Sequence, residues 1–138
     1  MSRRLAREVA MKLVFQVSFS ALEDQPIDDY IESYSEMLSP NNIQYVRKVA
    51  AVIKEDLAQI DAYINDYSEN WKIDRLGRVD LSILRVAIAE MLFFEDIPYG
   101  VSINEAVELA KAFSTNKAPG YINGILDKIH NHLVQKAR

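Results

Sequence analysis

Apolar residues recur every three or four positions along nearly all of this 138-residue chain, and the pattern breaks at Pro26, Pro40, Pro98 and Pro119. This spacing lines apolar side chains along one face of an α-helix, whereas a half-buried strand needs alternation at every second residue. No segment sustains such alternation between turn signals. The sequence therefore predicts an all-α fold.

Helix-start signals divide this pattern into about six or seven helices. Ser39 followed by Pro40 is typical of the start of a helix, here a long one over about 41–67. Asp80 is expected to cap a helix that is apolar nearly all round, over about 81–94. Ser102 and Glu105 have the spacing of a capping box. The other expected elements are a helix over about 3–22 capped by Ser2, a short helix after Pro26 reaching Leu38, a helix ending near Phe113, a helix over about 119–134, and a helical turn within 71–77.

The length and composition fit one folded domain. Hydrophobic residues make up 49% of the chain and charged residues 26%, which is typical of globular proteins with a real core. We predict a single domain over residues 1–138, built as two small packed helical bundles, 1–70 and 71–138.

Residues that carry chemistry are scarce. The chain has no cysteine, and its four glycines lack the spacing of a phosphate-binding loop. His130 and His132 lie two positions apart on a helix, so they point in different directions and are expected on the surface rather than on a shared metal. No apolar run reaches the roughly 20 residues that span a bilayer. We therefore expect a cytoplasmic protein without catalytic residues, cofactor, metal or membrane contact.

Charge is distributed unevenly along an acidic chain of net charge −4. Residues 1–20 contain four basic residues and one acid, whereas residues 21–40 contain six acids and no basic residue. This asymmetry favours separate basic and acidic surfaces over a uniformly basic one. The charges alone leave chance clustering on solvated faces as an alternative.

The first helix has two apolar stripes. The wide one, expected to face the core, comprises Leu5, Ala6, Val9, Ala10, Leu13 and Val17. Met11, Phe15 and Phe19 follow one another at four-residue intervals on roughly the opposite side. This second stripe is either core between two bundles or an apolar docking site for a protein partner, rimmed by charge.

The last helix suggests a site for nucleic acid. Tyr121 and Lys128 share one edge of it, and Lys117 lies in the turn just before it. An exposed aromatic ring among lysines can stack on an unpaired base while the cations hold phosphates. The alternative is a tyrosine half-buried at a helix start.

In the helix over 81–94, Arg85 and Glu90 must find polar partners or reach solvent, so a structural role is expected for them.

Four segments of the chain resemble the NusB transcription antitermination family. They are residues 3–10 (RRLAREVA), 80–85 (DLSILR, with Glu90 beyond it), 98–111 (PYGVSINEAVELAK) and 121–128 (YINGILDK). The resemblance implies an all-helical fold of two subdomains. It also implies binding of the boxA element of ribosomal RNA transcripts together with the ribosomal protein NusE. Such a protein acts in the antitermination complex of RNA polymerase, promoting read-through and ribosomal RNA maturation.

The resemblance also implies roles for particular residues. In such proteins the arginine-rich first helix and the start of the last helix meet RNA. By position these correspond to Arg3, Arg4 and Arg7 and to Lys117 and Tyr121, and Lys128 joins them by its place on the same edge. The protein partner is expected beside Phe15 and Asp80, with Met11 and Phe19 on the same stripe.

The chain departs from the family pattern at three positions. Leu5 interrupts the arginine cluster, Lys117 stands where an acid is common, and Gly120 stands where a basic residue is frequent. These differences redistribute the basic surface. Two other readings are an RNA-binding domain related to ribosomal RNA cytosine methyltransferases and a structural homodimer. Without a cysteine nucleophile or a glycine-rich cofactor motif, the sequence favours a stand-alone RNA-binding factor.

Overall fold

The computed structural model describes residues 3–16, 24–68 and 73–137, and within these ranges the chain is helical without any strand. The predicted all-α class is confirmed. Six α-helices and one short 3-10 turn follow in order: α1 (Arg3–Gln16), α2 (Asp24–Glu32), α3 (Pro40–Tyr67), the 3-10 turn (Ile73–Arg75), α4 (Arg78–Phe93), α5 (Tyr99–Phe113) and α6 (Ala118–Lys136).

Helix α3 starts as its sequence predicts. The Ser39 side chain accepts a hydrogen bond from the Asn42 backbone N–H at 3.2 Å, and Pro40 occupies the first helical position, where its missing N–H costs nothing. The helix runs for 28 residues and is kinked at Asp56, whose backbone angles are not helical.

Helix α4 is the central element of the fold. It packs against α1, α3, α5 and α6, and its side chains Ile83, Leu84 and Ile88 are fully buried. A helix that is apolar nearly all round is stable only when other elements enclose it, which accounts for the central place of α4. Helix α1 lies between α3 and α4. The arginines of α1 can therefore contact residues from both the N-terminal and the C-terminal half of the chain.

Two predicted helix caps are wrong. Helix α4 begins at Arg78 after Gly77, so Asp80 lies inside its first turn instead of capping it. Helix α5 begins at Tyr99 after Pro98, which places Ser102 and Glu105 inside the helix. Their side chains bond to distant partners instead of to nearby free amides. Ser102 and Glu105 have the spacing of a capping box, but they form tertiary contacts with Glu90 and Arg4.

The second helix is shorter than predicted, since α2 ends at Glu32 and hydrogen-bonded turns lead on to Leu38. The predicted cap Ser2, the expected extension of the first helix to Leu22, and Trp71 lie outside the described residues. Among the helices described, none is long and apolar enough to cross a membrane.

Candidate nucleic-acid and partner interfaces

Arg7 forms the centre of a buried polar cluster. Its Nε and Nη2 groups donate to the two carboxylate oxygens of Glu90 at 2.8 and 3.0 Å. The Glu90 carboxylate also accepts hydrogen bonds from the Tyr45 hydroxyl and from Ser102 Oγ, the latter at 2.8 Å. These four residues come from α1, α3, α4 and α5, so the cluster, called here the Glu90 cluster, ties four helices together.

The contacts within the Glu90 cluster raise the pKa values of Arg7 and Tyr45. Burial alone would lower the pKa of Arg7, but its hydrogen bonds and charge attraction to Glu90 outweigh that effect and raise it. Burial, followed by the negative charge of Glu90, raises the pKa of the Tyr45 phenol well above its ordinary value. Tyr45 therefore remains a hydrogen-bond donor to Glu90 over the whole working range of pH.

The Glu90 cluster changes the expectation for Arg7. Only 7% of its side chain is exposed, and its bidentate fork is occupied by Glu90. A phosphate cannot reach this guanidinium without breaking a buried ion pair. The prediction that Arg7 grips RNA is therefore replaced by a structural role.

Arg4 is the most exposed of the three arginines of α1. Its Nε and Nη2 groups bind Glu105 of α5 at 3.0 and 2.8 Å, while 63% of its side chain faces solvent. This ion pair, chiefly through its hydrogen bond, lowers the pKa of the Glu105 carboxyl, so Glu105 stays charged. Arg4 Nη1 takes no part in the two bonds. The pair thus fixes the guanidinium at the surface with one edge left for another acceptor.

Arg3 has a mixed environment. Its Nε donates to Asn42 Oδ1 at 2.9 Å, and its guanidinium lies over the Tyr45 ring, 4.5 Å from the centroid. Part of its side chain is exposed. Stacking on an aromatic ring holds an arginine at a defined place without consuming all of its donors.

A cleft forms where α1 ends near the start of α4. It is lined by Phe15, Gly77, Arg78, Val79, Asp80, Phe113, Ser114 and Thr115. The Arg78 guanidinium lies 4.5 Å from the centre of the Phe15 ring and donates to the Phe15 carbonyl oxygen. Phe113 is 40% exposed, and Lys12 Nζ lies 5.2 Å from its ring centre. The cleft thus combines two partly exposed rings with cations at its edge.

The predicted second stripe of the first helix divides into three outcomes. Phe15 reaches the cleft and is half-buried, whereas Met11 is 2% exposed and belongs to the core. Met11 is buried because α1 is enclosed on several sides, and the prediction that it contacts a partner is wrong. Phe19 lies outside the described residues.

Asp80 connects the cleft to the start of α6. It is only 5% exposed, and both of its carboxylate oxygens are bonded, one to the Ser114 hydroxyl and the other to the Tyr121 hydroxyl. The Tyr121 ring is half-buried, as the structural alternative expected, while Lys117 and Lys128 are exposed. The family resemblance implies two separate surfaces for Asp80 and Tyr121, but in the structure their side chains touch.

Sequence reasoning missed Arg78, Phe113 and Glu105. Arg78 begins α4 and Phe113 ends α5, and the cleft exists only because these two helix ends pack beside Phe15 in the fold. Glu105 carried a misleading local signal, its capping-box spacing. Glu105 could be identified as the partner of Arg4 only if the packing of α1 against α5 were known.

The two histidines are half-buried against tyrosine rings instead of standing free on the surface. His130 packs edge-on against Tyr99, and His132 contacts Tyr63 and Tyr67. Within the described ranges, no group of three or more potential ligands is placed to hold a metal ion.

Comparisons with known proteins agree on one family. Residues 4–131 match the model of the NusB family. The chain is 58% identical over 140 residues to the transcription antitermination protein NusB of Natranaerobius thermophilus, covering 100% of both proteins. It is 41% identical to the protein of that name from Geobacter sulfurreducens, covering 98% of each.

Solved structures give the same result. NusB of T. maritima superposes with a TM-score of 0.77 at 37% identity, covering 94% of this chain and 90% of that one. A complex of the antitermination factors NusB and NusE with dsRNA contains a chain that superposes with a TM-score of 0.79 at 25% identity, covering 94% of this chain and 96% of that one.

Proposed function

The chain belongs to the NusB family, and we propose that it is a transcription antitermination factor that binds RNA together with the ribosomal protein NusE. The observation that carries this proposal is the match, over all of both chains, to a relative named for antitermination. A solved complex of similar fold holds NusB, NusE and RNA, which supports both partners. The proposed RNA is the boxA element of ribosomal RNA transcripts, bound within the antitermination complex of RNA polymerase in the cytoplasm.

The proposal treats residues 1–138 as one RNA-binding domain that performs no reaction of its own. Its action is to hold an RNA element and a protein near the polymerase, so that read-through and ribosomal RNA maturation are promoted. Arg3, Arg4, Lys117, Tyr121 and Lys128 form the proposed RNA face. Of these, Arg4, Lys117 and Lys128 are exposed, and Arg3 and Tyr121 are partly so.

The proposed NusE site is the cleft around Phe15. An apolar ring partly open to solvent is a suitable anchor for a partner, because burying it removes apolar surface from water. Asp80 in the cleft adds a negative charge that suits a basic ribosomal protein. The Arg78 guanidinium lies over the Phe15 ring at the rim of the cleft and so holds the ring in a defined place.

We expect the protein to bind single-stranded boxA-like RNA weakly alone and more tightly with NusE. The chain is acidic overall and its exposed cations near the RNA face are few, so few phosphates can be neutralised. Fluorescence anisotropy with labelled RNA, with and without NusE, checks this, and a scrambled RNA of equal length is the control. Equal binding of both RNAs under both conditions would contradict the proposed function.

Arg4→Ala should weaken RNA binding and make the log–log salt slope shallower by about 0.7, the value for one lost phosphate contact to a single strand. The melting temperature should change little, because an exposed ion pair contributes little to stability. Arg47→Ala is the matched control, since Arg47 is also an exposed arginine paired with a carboxylate, Asp28, between α2 and α3. If both variants keep the wild-type slope, Arg4 does not contact phosphate.

A further inference from the structure

The two arginines that begin α1 contact different helices. Arg4 binds Glu105 of α5, whereas Arg3 donates to Asn42 of α3 and lies over the Tyr45 ring of the same helix. The first turn of α1 therefore presents one arginine towards α5 and the other towards α3. Arg3 is thus a point at which the proposed RNA face reaches α3.

A row of cations and rings continues from Arg3 along α3. The Tyr45 ring lies 5.4 Å from the Phe94 ring between centroids, and Lys48 Nζ lies 4.2 Å from the centre of the Phe94 ring. Both rings are buried, while Lys48 is exposed and Arg3 partly so. Because the face of an aromatic ring attracts a cation, the two buried rings hold Arg3 and Lys48 in defined places at the surface.

The charge of Lys48 is not neutralised by a neighbouring acid. Lys12 and Lys111 each pair with a glutamate of their own helix, whereas Lys48 forms no ion pair with any residue that the structure describes. This includes Glu95 and Asp96, which follow Phe94 along the chain. Residues 40–54 contain three basic residues and no acid. A phosphate at Lys48 would therefore displace no carboxylate.

Two neutral polar residues share the exposed face of α3 with Lys48. Asn41 and Gln44 are exposed and precede Lys48 by seven and four positions, a spacing that puts all three on one side of the helix. We call Asn41, Gln44 and Lys48 the α3 strip. It combines one cation with two amide side chains, each of which can donate hydrogen bonds.

The chemistry of the α3 strip suits a phosphate backbone better than a protein surface. Protein partners are usually anchored by large apolar or aromatic side chains that become buried. The large hydrophobic residues exposed in the described part of the chain are Met37, Val101, Phe113 and Val134, and none of them lies on α3. Phosphates, in contrast, require only cations and hydrogen-bond donors.

We propose that bound RNA extends from Arg4 across the first turn of α1 onto α3, where Arg3 and Lys48 bind phosphates and Asn41 and Gln44 donate to the RNA backbone. This inference rests on the proposed function, which supplies the RNA. Contacts to phosphates and sugars carry no sequence information. The α3 strip should therefore bind nucleotides that flank the boxA element, whatever their sequence.

The test compares boxA-like RNA with the same RNA extended by several nucleotides at both ends. Wild-type protein should bind the extended RNA more tightly, and a scrambled flanking sequence should give the same gain. Lys48→Ala should weaken binding of the extended RNA by about threefold or more and make the log–log salt slope shallower by about 0.7. Lys48→Arg keeps the charge and should keep most of the affinity.

Lys54→Ala is the matched control, because Lys54 is an exposed lysine of the same helix that lies on another face and lines the groove beside α2. It should bind the extended RNA as the wild type does. Thermal melting checks that each variant is folded, and calorimetry with NusE should give the wild-type affinity for Lys48→Ala.

Wild-type affinity and salt slope for the extended RNA in a folded Lys48→Ala variant would overturn the proposed path over α3. That result leaves the proposed function intact, because boxA-like RNA still binds. A loss of NusE affinity with unchanged RNA binding would also overturn it and assign the α3 strip to the protein partner. If the wild-type protein binds neither boxA-like RNA nor NusE, the proposed function itself fails.

Discussion

Arg7→Ala should lower the free energy of unfolding by about 3–5 kcal/mol, the cost of leaving one partner of a buried ion pair uncompensated. The Glu90 carboxylate is 1% exposed and would retain only the Tyr45 and Ser102 hydroxyls as donors. Because Glu90 joins four helices, the loss should weaken the packing of the whole chain. Urea unfolding followed by circular dichroism measures the effect.

Two comparisons separate this effect from a general loss of positive charge. Arg4→Ala removes an arginine three residues away whose side chain is exposed, and it should leave the free energy of unfolding almost unchanged. Combining Arg7→Met with Glu90→Gln removes both buried charges and should recover much of the loss. Equal stability of Arg7→Ala and Arg4→Ala would contradict the structural role of Arg7.

The example of Arg7 explains why the helices were easier to predict than the site. Helical spacing of apolar residues is a local property, and it located α3, α4 and the end of α5 within a few residues. The partner of Arg7 lies 83 positions away along the chain. Three arginines within five positions indicate a basic cluster, but the spacing does not say which of them faces a buried carboxylate.

The same limit applies to the helix starts and to the cleft. Ser102 and Asp80 have side chains suited to capping, and local rules assign them to that task. In the fold, Ser102 donates to Glu90 and Asp80 accepts from Tyr121, because these tertiary bonds satisfy buried charges. Phe15 and Asp80 could be grouped only through the family resemblance, while the contact between Asp80 and Tyr121 depends on how α4 and α6 pack.

Phe15→Ala should weaken NusE binding by about 1–3 kcal/mol, or roughly 5- to 150-fold, if the Phe15 ring anchors the partner in the cleft. The ring is half-buried in the free protein, so part of its apolar surface is still available for burial by a partner. Arg78 covers one face of the ring and also donates to the Phe15 backbone carbonyl. That backbone bond survives the substitution, so the local path of the chain should be kept.

Isothermal titration calorimetry with NusE measures the loss, and thermal melting shows whether the variant is folded. Met37→Ala is the control, since Met37 is an exposed apolar residue (46%) that does not line the cleft. Free Phe15→Ala protein should still bind boxA-like RNA as the wild type does, because none of the proposed RNA contacts comes from the Phe15 ring. Normal NusE affinity in a folded Phe15→Ala variant would place the partner elsewhere. A loss of RNA binding by the free variant would instead assign the ring to the RNA face, and the two proposed surfaces would then have to be redrawn around Asp80.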